Sequence, residues 1–63
     1  MKVNVIFYED PNPKDCSVLG IYHYKSDAKQ WLESCGWYFD TDYCIWHNSA
    51  YNGFIEILER DLQ

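Results

Sequence analysis

Sixty-three residues make one domain spanning 1–63, and a chain this short buries only about 60% of the surface that its unfolded form exposes. Three Trp, six Tyr and three Phe supply the apolar area for a core at this length and exclude a disordered chain. Ten acidic residues against five basic ones, a formal charge of −5, argue against direct contact with DNA, RNA or an anionic membrane.

Taken in chain order, Lys2 to Tyr8 alternates as a strand, with Val3, Val5 and Phe7 on one face and Asn4, Ile6 and Tyr8 on the other. Glu9 to Asp15 carries two prolines with Asp and Asn among them, which predicts a loop. Ser17 to Tyr24 reads as a second strand. Leu19, Ile21 and His23 point one way, Val18, Tyr22 and Tyr24 the other, and Gly20 marks either a bulge or a close approach of another backbone. A helix over 26–35 follows: Ser26 suits the N-cap, Asp27 the positive end of the dipole, and Gly36 the C′ position. Ala28, Trp31, Leu32 and Cys35 recur at helical spacing and form its apolar stripe.

Trp37 to His47 is aromatic and β-like, and one long or bent strand is expected there in preference to two short strands joined at Asp40-Thr41-Asp42. Asn48-Ser49 opens a loop, and Asn52-Gly53 predicts a type I′ turn. Phe54 to Arg60 alternates as the last strand. The expected fold is α+β, an antiparallel ββαββ sheet with one short helix packed on one face. One helix leaves the other face open, and Tyr8, Tyr22, Tyr24, Tyr38 and Trp46 are expected to populate it.

The residues carry no catalytic motif with a known mechanism. On a strand, Cys44 and His47 point to opposite faces, and a single sheet with one helix has little volume for an active-site cleft. No enzyme activity and no cofactor are therefore expected. Cys44-Ile45-Trp46-His47 has the C-x2-H spacing of half a zinc site, but without a second closely spaced pair no metal is expected.

Binding is the expected role, through one of two surfaces. Tyr22, Tyr24, Tyr38 and Trp46 compose an aromatic face of the kind that docks proteins. Asp40, Asp42, Glu56 and Glu59 compose an acidic face, whose array on neighbouring strands would mimic DNA towards a nucleic-acid-handling enzyme. Homo-oligomerisation through the open face or an edge strand is also expected, since it adds the burial that a monomer lacks. Asn4 and Glu9-Asp10-Pro11 interrupt the N-terminal apolar run, and no stretch has the roughly 20 apolar residues of a membrane span. With three cysteines, an odd number, a cytoplasmic protein is expected.

The run from Val3 to Tyr8, Leu19-Gly20-Ile21-Tyr22, Ser26-Asp27-Ala28 opening a helix, and Phe54-Ile55-Glu56-Ile57-Leu58-Glu59 closing the sheet resembles the small uncharacterised proteins encoded by phages and prophages of Gram-positive bacteria. That resemblance implies an accessory role in which the chain binds and modulates a host protein. It transfers no site residue.

Overall fold

Alternating apolar strands and one amphipathic helix assemble around a single antiparallel sheet. In the computed structural model, which describes residues 1–61, the chain runs β1 (Lys2–Glu9), a 3-10 turn (Pro13–Asp15), β2 (Ser17–Tyr22), α1 (Lys25–Ser34), β3 (Tyr38–Asp40), β4 (Ile45–His47) and β5 (Phe54–Asp61). The sheet order is β2-β1-β5-β4-β3, every neighbouring pair is antiparallel, and α1 covers one face. The class is α+β, but the order is ββαβββ and not ββαββ.

The extra strand arises where one long strand was expected between Trp37 and His47. Asp40 Oδ1 accepts the N–H groups of Asp42 at 2.9 Å and Tyr43 at 3.4 Å, an Asx turn, and Cys44 takes φ 55°. Together they reverse the chain and pair Tyr38 with His47, Phe39 with Trp46 and Asp40 with Ile45.

The helix sits one residue earlier than its sequence signals place it. Asn4, buried in β1, donates from Nδ2 to the His23 carbonyl at 3.1 Å and turns the chain off β2 after Tyr22. Tyr24 then becomes the N-cap, its carbonyl accepting the N–H of Asp27 at 3.1 Å, while Ser26 falls in the first turn. The C-terminus follows expectation. Gly36 has φ +88°, its N–H reaches the Glu33 carbonyl, and the Trp37 N–H reaches the Leu32 carbonyl, a Schellman motif closed by Leu32 and Trp37 meeting in the core. Cys35 is the exposed C-cap, not part of the apolar stripe.

The core lies between α1 and one face of the sheet. Ile6 and Tyr8 of β1, Ala28 and Leu32 of α1, Trp37, Trp46 of β4 and Ile55 of β5 form one buried cluster, with Tyr22, Trp31 and Ile57 packed at its margin. Ile6, Leu32 and Ile55 are fully buried, worth about 1.5–3 kcal/mol each relative to exposure. The β1–β2 ladder slips between Ile6 and Phe7, so that Leu19 is the extra residue of a bulge beside Gly20. The bulge corrects the simple alternation expected for β2. Val18 and Ile21 share the face away from the helix, while Leu19 and Tyr22 lie on the helix side.

Asn52-Gly53 does not make the type I′ turn. Gly53 lies outside the left-handed region, and β4 joins β5 through a longer loop in which Asn48 Oδ1 accepts the Ala50 N–H at 3.0 Å. Glycine is needed at 53 for close approach. A Cβ there would stand 2.1 Å from the Glu9 carbonyl oxygen and 2.7 Å from the Tyr8 hydroxyl, which accepts the Gly53 N–H at 3.1 Å. Gly53→Ala therefore has to move backbone. Overpacking of about 2 kcal/mol or more is expected to lower Tm by roughly 10 °C, read by thermal denaturation with circular dichroism. A variant melting within about 2 °C of wild type would mean that the loop yields without cost.

Candidate functional site

The strand registers decide which side chains the helix leaves uncovered. Ile6, Tyr8, Trp46 and Ile55 face α1, so their alternates face away: Val5 and Phe7 on β1, Phe54, Glu56 and Leu58 on β5, Ile45 and His47 on β4, and Tyr38 and Asp40 on β3. Val18 and Ile21 join them on β2, with 53% and 62% of their surface exposed. Val3, on the same face beside Arg60, is buried outside the main core cluster. An apolar surface thus crosses all five strands, larger than the isolated apolar residues common on soluble proteins.

The aromatic face expected from the sequence is not one surface. Trp46 is 3% exposed and packs under the helix. Tyr22 lies on the same helix side at the core margin, and Tyr24 caps α1. Of the four, Tyr38 alone stands on the open face, its ring centroid 5.8 Å from that of His47. Tyr8, also expected on the open side, belongs to the core. The residues missed are mainly aliphatic: Val5, Val18, Ile21, Ile45 and Leu58, joined by Phe7 and Phe54. Their signal was present, since β1 and β5 are apolar at both alternating sets of positions.

The acidic face is dispersed as well. Asp40 and Glu56 are on the open face, Asp42 sits in the β3–β4 turn, and Glu59 projects to the opposite side of β5, across from Asn4. Glu59 instead lies 4.0 Å from Lys2, an exposed ion pair of small energetic weight. Asp40 Oδ2 is 3.4 Å from His47 Nε2. Cys44 and His47 gather no metal set, because no group of three or more His, Cys, Asp and Glu is found among the described residues.

One carboxylate pair does lie within the open face. Glu9 on β1 pairs with Phe54, and Glu56 pairs with Phe7, so the two glutamates are diagonal neighbours across the central ladder. Glu9 Oε2 is closed to solvent and accepts no hydrogen bond among the described residues. Burial first, and then the neighbouring Glu56 carboxylate, push the Glu9 carboxyl above its ordinary range. Asp10 shifts the other way, held low first by the Tyr8 hydroxyl and then by the Asn12 N–H.

The two shifts have opposite consequences for stability. Asp10 contributes stability above the ordinary carboxylate pKa, lost as pH falls through its lowered value. For Glu9, stability is fully present below the ordinary value and is lost as pH rises through its raised one. Glu9→Gln is therefore expected to raise Tm near neutral pH by up to a few °C, with the gain vanishing below about pH 4. Melting both proteins across that range checks it, and a pH-independent difference would contradict the pairing.

No protein-family model, curated protein or solved structure matches the chain. No helix among the described residues is long and apolar enough to cross a membrane.

Proposed function

We propose that this chain is a non-enzymatic protein-binding module whose open sheet face pairs with a second copy of itself. The observation that carries this reading is the apolar surface running across all five strands on the side without a helix. Strands of eight, six, three, three and eight residues, at about 3.3 Å per residue and about 4.8 Å between strands, give a face of about 440 Å² in projection. Side-chain relief brings that towards the ~800 Å² that a standard interface takes from each partner. A two-fold pairing suits such a surface because each copy presents the same patch. It also adds the apolar burial that a domain of 63 residues otherwise lacks. The DNA-mimic reading has less support, because its four carboxylates are divided among the open face, the β3–β4 turn and the helix side.

The charge of the chain makes the proposal testable. Two copies at −5 each repel at long range, so pairing through an apolar face strengthens as salt screens them. Binding driven by charge complementarity weakens instead. Sedimentation equilibrium at about 0.1 M and about 1 M salt should show the 7.6 kDa chain at twice its mass, more completely at high salt. Ile21→Lys should restore the single-chain mass while leaving the fold intact, since Ile21 is exposed on an edge strand. The added positive charge reduces repulsion, so a loss of pairing there comes from the apolar contact. A mass of one chain at both salts and at about millimolar concentration would overturn the pairing.

A further inference from the structure

Two recesses flank the helix on the covered side of the sheet, and they differ in charge. One, of about 320 Å³, lies towards the N-terminal half of α1 and is lined by Lys25 and Lys29 with Phe39 and Trp46. The other, of about 420 Å³, lies at the C-terminal end, where Tyr8, Trp31, Trp37 and Tyr51 line it with Leu19 and Asp15. No Lys or Arg lines this second cavity, which is large enough for a small organic molecule.

We infer that the second cavity binds small molecules carrying a trimethylammonium group. The exposed Tyr51 and the half-buried Trp31 offer negative π-surface to a cation in this cavity, backed by the buried rings of Trp37 and Tyr8, and alkylated ammonium groups are the cations best matched to it. The rings hold one another in place. Trp37 stacks on Tyr51 at 5.1 Å between centroids, and Tyr8 meets both edge-on at 6.2 and 5.8 Å. The Tyr8 hydroxyl donates to the Asp10 carboxylate, which enriches the electron density of its ring.

Two further features select positive charge. Asp15 brings a carboxylate to the lining, and Cys35, which also lines the cavity, is the C-cap of α1, so the negative end of the helix dipole lies beside it. Lys14 is the only basic residue between Glu9 and Ser17, a stretch that also holds Asp10 and Asp15. The volume exceeds that of the ammonium head alone and leaves room for a short chain attached to it. The cavity lies on the helix side of the sheet, so it stays open when the other face pairs, and it does not depend on that pairing.

The probe is choline, compared with its neutral carbon isostere 3,3-dimethylbutan-1-ol, titrated against the full chain and followed by the fluorescence of Trp31 and Trp37. Choline is expected to give saturable binding roughly tenfold tighter than the alcohol. Asp15→Asn and Tyr51→Leu, both at exposed positions, should each weaken choline several-fold; Asp15→Asn should melt like wild type and leave the alcohol unchanged, while Tyr51→Leu lowers Tm by a few °C through its lost ring contacts. Equal affinity for choline and the alcohol would overturn the cation preference. Absence of saturable choline binding at about 50 mM would overturn the site, since even a weak specific contact shows by that concentration. A single-chain mass in sedimentation has no bearing on either result.

Discussion

A ten-residue helix is about 15 Å long and about 10 Å across, and it has to cover a sheet of five strands. That mismatch governs the rest of the molecule. On the covered side the shortfall is met by large rings. Tyr8, Trp37 and Trp46 extend the core beyond the reach of Ala28 and Leu32, and Tyr22 and Trp31 pack along its border. On the other side no helix meets it, and the half-buried Val5, Phe7, Phe54 and Leu58 form the centre of an apolar surface. Both candidate sites follow from the same limit. The open face is what the helix never reaches, and the aromatic cavity is space left at the end of the helix.

Tyr8 links the two layers. Its ring belongs to the core, and its hydroxyl accepts from the Gly53 N–H while donating to Asp10, so one side chain joins the loop after β1 to the loop before β5. The close approach at Gly53 then aligns β5 along the whole of β1, from Glu9 opposite Phe54 to Lys2 opposite Asp61. This register places Glu9 diagonal to Glu56 within the open face. A carboxylate pair there opposes burial while both groups are ionised, so the surface best suited to pairing is also sensitive to acid.

Local signals in the sequence carried much of this fold. The helix is within one residue of its expected span, Gly36 ends it in the left-handed region, and Gly20 sits beside a bulge. The division of β1 into Val3, Val5 and Phe7 against Asn4, Ile6 and Tyr8 also holds. Alternation defines two faces, however, and does not say which one a helix covers. With apolar residues on both, the choice falls to tertiary contacts such as the Asn4 bond that turns the chain into α1. The β3–β4 reversal was obscured for a different reason. It depends on the Asp40 side chain binding backbone N–H groups and on a cysteine at positive φ, where sequence signals lead one to expect glycine or asparagine. The acidic and aromatic groupings failed because they joined residues by type before their faces were known.

The central claim is that the open face is covered in solution, and solvent access to its methyl groups tests that directly. Methyl NMR with a soluble paramagnetic probe compares Val18 and Ile21 on the open face with Leu19, which belongs to the helix side. In an isolated chain all three are exposed, at 53%, 62% and 42%. If the face is paired, Leu19 broadens strongly while Val18, Ile21 and Leu58 are shielded, and dilution restores their broadening. Equal broadening of Val18, Ile21 and Leu19 at every concentration would contradict the account.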